Sequence, residues 1–432
     1  MSHTASQIRQ NLFSVFDSLL ERREEFLKNP LTDFTRRKKI SFAQTMMFPM
    51  IAGSNNISTE LLDLFGELDL PLASAMVQRR NQIKKEAYVT LFNEFTGSIP
   101  INKTFHGYQL VACDGTRLNL PHNSSDPDTL VDHIEGRKGF NQVHLNALYD
   151  VMNDIFLDAE VQKMPEMDEI GAFCRFLDKY AYSRNKRVYI ADRLFACVNV
   201  YAHAIRNDEK FLIRMREGDA KNLFNNQMHL LDADYVDESV TVHVGRRRIS
   251  RNHRFENYHY VRERSRYDYI DYGDDKVDRL HFRVLKFPLG NGSFEYIATN
   301  LSAKDFPFVT IKEMYNLRWR EETAFRHLKY AGNMVHIHSI KHDFLIQEIY
   351  GKLTMYNFSS CIEKAVESSA ESNTVHEYRT NHTQMQKFAK RFLIGVINDL
   401  ERLISRFRVP VRPGRKFRRI MRRQSAVPLA YR

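Results

Sequence analysis

Cysteine is scarce in this chain of 432 residues: Cys113, Cys174, Cys197 and Cys361 are the four present, and no two form a C-x-x-C pair. Their separation excludes a disulfide framework and a zinc ribbon. Long apolar runs are missing too, with no stretch of roughly 18 consecutive apolar residues to suggest a membrane span. The start, "MSHTASQIRQNLF", lacks the basic stretch and apolar core of a secretion signal, so the expected location is the cytoplasm, with no membrane partner. Acidic residues are in deficit: 53 Asp and Glu face 64 Lys and Arg, a net charge of +11. That excess favours a polyanionic partner, nucleic acid first. What is abundant is core material, 43% hydrophobic residues, enough for two or three packed regions.

Residues 1–100 read as helical. "ISTELLDLFGELDLPLASAMVQRRNQIKKEAYVTLFNEF" repeats apolar residues at helical spacing, with a break at Leu70-Pro71 and a helix start near Ser74. Two helices across that break fit a helix-turn-helix with Gln78, Arg79, Arg80 and Lys84 on the second, or an ordinary hairpin with a solvated basic face. From residue 101 to 220 the period changes. "HGYQLVACDGTRLNLP" is strand-like, "VHLNALYDVMNDIFLDAEVQ" is two strands about a Met-Asn-Asp turn, and "KRVYIADRLF" is a short buried strand. Strand, hairpin, helix, strand, helix, strand is a mixed α/β order. Residues 221–300 are β-rich and read as an insertion. Helices resume over 301–368, and 369–432 hold a last helix and a basic tail.

The stretch "YNLRWREETAFRHLKY", 315–330, reads as one amphipathic helix. At roughly 100° per residue, Tyr315, Arg318, Glu322 and Lys329 share an arc of about 60°. Met314, Leu317, Ala324, Phe325 and Leu328 form the core side, and Glu321 falls among them without an evident reason. Glu322 is therefore the chemical candidate, although an i,i+4 pair with Arg318 is also a common helix stabiliser. Asp114 and Asp192 each end an apolar strand. Two such aspartates with a helical glutamate could bind a pair of Mg²⁺ or Mn²⁺ ions and run phosphodiester chemistry.

The spacing Tyr315-x2-Arg318-x3-Glu322-x6-Lys329 resembles the YREK signature of DDE transposases of bacterial insertion sequences, specifically the insertion-sequence-four family. "CDGT" and "ADR" resemble that family's two aspartate motifs, and "SAMVQRRNQIKKEAYVTLFNEF", "IQEIYGKLTMYN" and "VPVRPGRKFRR" resemble its N-terminal, post-glutamate and C-terminal regions. The resemblance implies an RNase H-like core interrupted by the β-rich insertion. It implies Asp114, Asp192 and Glu322 as metal-binding catalytic residues, and Tyr315, Arg318 and Lys329 as DNA contacts. Some relatives form a DNA hairpin and stack a flipped base on a tryptophan in the insertion. Here the one tryptophan, Trp319, lies outside it.

The expected activity is metal-dependent cutting at transposon ends and transfer into target DNA. The terminal inverted repeats and target are the partners, and a homodimer forms the synaptic complex. The rival reading is a catalytically silent DNA-binding descendant. Arg415 and Lys416 belong to a run from Arg406 to Arg423 with nine basic residues and no acid, suited to phosphate contact. His336, His338 and His342 lack the spacing of a zinc finger.

Overall fold

The structure is a computed structural model and describes residues 4–36, 39–131, 139–181, 183, 185–224, 229–248, 255, 257–289, 292–369 and 378–410. Six helices lead: α1 (Ala5–Glu21), α2 (Arg23–Phe26), α3 (Phe42–Ile51), α4 (Ile57–Phe65), α5 (Ala73–Gln82) and α6 (Glu86–Ser98). The next block is β1 (Gln109–Leu120), β2 (Leu130–Val131), β3 (Phe140–Asp150), β4 (Ile155–Lys163), α7 (Glu169–Tyr180), β5 (Arg187–Ala191), α8 (Val198–Arg206) and β6 (Lys210–Met215). Helix α9 (Glu217–Phe224) precedes β7 (Val236–Gly245), β8 (Tyr258–Tyr260), β9 (Val277–Leu289) and β10 (Ser293–Thr299). The chain then forms α10 (Phe308–Asn316), α11 (Trp319–Tyr330), α12 (His342–Ser369), β11 (Tyr378–Thr380), α13 (His382–Leu393), α14 (Leu400–Ser405) and β12 (Arg408–Pro410).

Strands β1, β3 and β4 form an antiparallel meander, and β1, β5 and β6 run parallel. The order β4-β3-β1-β5-β6, with α7 and α8 as the crossovers, is the RNase H-like arrangement expected from the sequence. Turn chemistry sets the first hairpin. Asp150 Oδ1 accepts from the amides of Met152 at 2.9 Å and Asn153 at 2.8 Å, and Asp154 takes a positive φ of 51°.

Short apolar strands such as "RVYIA" are buried on both faces, as parallel strands covered by helices must be. On β1, Leu110 and Ala112 face the core shared with the N-terminal helices and α10–α12, while Val111 and Cys113 face the core under α7 and α8. On β5, Val188 and Ile190 join the first core, and Tyr189 and Ala191 the second.

The β-rich segment does not stand apart. Strand β10 pairs antiparallel with β6, and β9, β7 and β8 follow, so the central sheet reaches ten strands among the described residues. Helix α12 is apolar on most sides and buried along much of its length, with α1, α3, α6, α13 and β4 packed around it. Its polar residues are bonded. Asn357 accepts from the Phe156 amide and donates to the Phe156 carbonyl, both at 2.8 Å, taking the place of a neighbouring strand. No helix among the described residues is long and apolar enough to cross a membrane.

Candidate active site

Cys113 pairs in parallel register with Ala191, the last residue of β5, so Asp114 on β1 and Asp192 just past the end of β5 are neighbours, and the Asp192 charge acts on Asp114. Alternation turns Asp114 the same way as Ala112, toward the core that includes α11, and the charges of both aspartates act on Glu321 of that helix. Two carboxylates far apart in sequence therefore meet where β5 ends beside the middle of β1. Asp114 is partly buried, and Oδ1 accepts the Gly115 amide at 2.8 Å. Burial pushes its carboxyl up to about 6; the Asp192 charge adds to this, and the Gly115 amide and Arg318 oppose it. Asp192 Oδ1 accepts the Leu194 amide at 2.7 Å, which fixes the turn after β5.

Gly115 has a steric reason to be glycine. A Cβ there would lie 2.3 Å from Nε2 of the buried His144 and 3.1 Å from Asn146 Oδ1. His144 Nε2 is itself 3.0 Å from Glu169 Oε1 at the start of α7, so the motif is packed tightly from the opposite face.

The helix expected over 315–330 is two helices. At the junction, Leu317, Arg318, Arg320 and Glu321 donate backbone bonds to Met314, Tyr315, Leu317 and Arg318, three residues back in each case. Such 3₁₀ bonding tightens the turn to about three residues and alters the faces read from a straight α-helix. Tyr315 ends up buried on α10, and its phenol is pushed up to about 12 by that burial. Arg318 is also buried, donates from Nη2 to Glu322 Oε1 at 2.9 Å and lies 4.8 Å from the Trp319 ring centre. Glu322 is on the exposed side of α11. Lys329, one end of the signature, is half-buried; burial lowers its ammonium, and the Asp114 charge opposes that shift.

The glutamate turned inward is Glu321. It is 0% exposed, and neither carboxylate oxygen has a hydrogen-bond partner among the described residues. Burial, then the Asp114 charge, raise its carboxyl well above the usual range, with Asp192 also contributing. Sequence periodicity did place it on the core side. A glutamate at an apolar position of the helix is the signal that the sequence offers for this burial.

Two residues expected on a basic face are placed differently. Arg79 and Arg80 are buried rather than displayed on a basic face. Arg80 donates to Gln347 Oε1 at 3.2 Å and the Phe344 carbonyl at 3.1 Å, and Arg79 lies over the Phe34 ring with Gln82 at 3.0 Å. Arg80 is held by residues of α12, and Arg79 by Phe34 and its own helix, partners that a sequence alone does not reveal. Arg415 and Lys416 lie outside the described residues.

Cys174, His203 and Asp268 are the metal-capable groups whose ligand atoms come within 4.8 Å of one another among the described residues. Their polar atoms are already engaged. His203 lies 2.8 Å from Asp178 and 3.0 Å from Asp268, and Asp268 also takes Asn199 and Arg266, which makes this a tie between α7, α8 and the β-rich segment.

The transposase DDE domain family model matches residues 105–358, well over half of the chain, from just before β1 into α12. The chain belongs to the DDE transposases. It is therefore a DNA transposase, a DNA-cleaving and strand-transferring enzyme. No curated protein matches it in sequence. Among solved structures it is similar to a piggyBac transposase synaptic complex with hairpin DNA, with 9% identity, coverage of 91% of this chain and 81% of that one, and a TM-score of 0.48.

Proposed function

We propose that this transposase cuts the ends of a bacterial insertion sequence of the YREK type with Asp114, Asp192 and Glu322, then joins the exposed 3′-hydroxyl to target DNA. The observation that supports the assignment is the pair of aspartates, one on β1 and one just past the end of its parallel neighbour β5, whose charges act on the helix that bears the glutamates. The donor set is made of carboxylate oxygens, which suits hard divalent ions. Two Mg²⁺ or Mn²⁺ ions held there supply activation of the attacking oxygen and stabilisation of the leaving one.

The chain's own residues place the DNA. Arg318 and Lys329, both near Asp114, bind phosphate oxygens on either side of the reacting one, and Tyr315 packs behind them. A phosphate arriving at Arg318 competes with Glu322 for the guanidinium. Once released, Glu322 turns from solvent toward the aspartates, so DNA binding itself completes the acidic set. The basic C-terminal run, including Arg415 and Lys416, neutralises further phosphates, and two copies bridge two element ends.

The full chain, incubated with DNA carrying the terminal inverted repeats of its own element and Mg²⁺, is expected to cut at the repeat boundary. E322Q is expected to bind that DNA and leave it intact. Binding without cutting by the wild-type chain sinks the assignment, and cutting of arbitrary DNA replaces it with a general nuclease.

A further inference from the structure

We propose that Glu321 is a fourth carboxylate of the catalytic centre and a direct ligand of a divalent cation there. The inference rests on the proposed metal site and adds a residue that the YREK spacing passes over. Its basis is a conflict in the packing. A carboxylate buried without hydrogen bonds is among the most unfavourable groups a core can hold, unless it is neutral or meets a cation. Glu321 is fully buried, and both oxygens lack a partner among the described residues. The nearby guanidinium of Arg318 is directed to Glu322 instead.

The surroundings show where the oxygens are directed. Helix α11 packs on β1, and Glu321 acts electrostatically on Cys113, with Asp114 and Asp192 acting on it in turn. Like charges gathered in a core repel, and the repulsion is relieved either by protonation or by a cation held between the carboxylates. Ala324, Phe325 and Leu328 on the same helix are buried in the core that covers both aspartates. An apolar side chain would fit such a position better, and glutamate there is accounted for by coordination. The division of labour follows from exposure. Glu321 is fixed beside Asp114 before DNA arrives, whereas Glu322 is engaged with Arg318 until a phosphate displaces it.

The test is Mn²⁺ binding by the full chain, followed by the electron paramagnetic resonance of free Mn²⁺ and by thermal unfolding with and without the ion. D114N, E321Q, E321M and E322Q are compared with wild type. E321Q and E321M are expected to weaken Mn²⁺ binding by roughly tenfold or more, as losing a ligand or its support does. Without metal they should unfold no lower than wild type, and the upward shift of Tm on adding Mn²⁺ should disappear. A residue needed only for packing would instead lower the metal-free Tm and keep the shift. Mn²⁺ affinity within about twofold of wild type in both Glu321 variants, with D114N impaired, overturns the inference and leaves the proposed site standing. Wild-type affinity in all four variants, D114N included, overturns both.

Discussion

Replacing Arg80 by alanine separates a structural arginine from one that holds DNA. Its guanidinium gives two internal hydrogen bonds, to Gln347 and to the Phe344 carbonyl, and lies 4.7 Å from the Phe344 ring centre. Truncation leaves two buried acceptors without that donor, at about 1–3 kcal/mol each, and removes a desolvated cation–π contact of about 2 kcal/mol. Against this stands relief from burying the charge, which is substantial because burial lowers the Arg80 pKa. The net expectation is a loss of about 3–5 kcal/mol, the range for breaking a buried charged arrangement. Urea denaturation reads that loss. DNA binding by the folded fraction, measured across a salt series, is expected to keep the wild-type slope. A lost phosphate contact lowers the slope of log K against log salt by about 0.9. An R80A chain that unfolds at the wild-type urea midpoint while its slope falls by that amount would refute the reading of α5 as a packed helix.

Gly115→Ala drives a methyl group to 2.3 Å from His144 Nε2; the expected cost is about 1–3 kcal/mol by overpacking, with impaired end cleavage, read by urea denaturation and the repeat-cutting assay. Stability should also depend on pH through Glu348 and His338. Burial alone would raise Glu348, but the His338 hydrogen bond and the charges of Lys352 and Arg80 hold it at about 2. The stability it contributes is complete above its unfolded value and is lost as pH falls from about 4.3 towards 2, a change on the order of 3 kcal/mol. His338 is raised by the same hydrogen bond, so its contribution is complete below about 6.5 and fades as pH climbs through its folded value. Unfolding followed between pH 2 and 8 should lose the acid limb in E348Q; an unchanged limb contradicts the assignment.

The catalytic core was readable because its signals are local. Strand, turn and crossover each occupy a short window, and "LVACDGT" and "VYIADRL" place an aspartate at the end of a buried run. What escaped depends on distant partners. Arg79 and Arg80 look like a basic face until Phe34 packs on the first and α12, more than 250 residues later, bonds the second. For the β-rich residues, alternation reveals each strand but not its neighbour, and the neighbour of β10 is β6 of the core. Glu321 was placed on the correct side of its helix, yet its significance depended on the two aspartates opposite, which no single helix reveals. The 3₁₀ junction at Leu317 and Arg318 contains no glycine or proline to announce it.

The continuous ladder from β6 through β10 and β9 to β7 has a mechanical consequence. Backbone bonds, rather than a linker, join the outer strands to the plate that holds the aspartates, so a load applied at β7 reaches Asp192 as bending or twist of that plate. Deformation at the outer edge is thereby carried across the width of the sheet without any swivelling of parts.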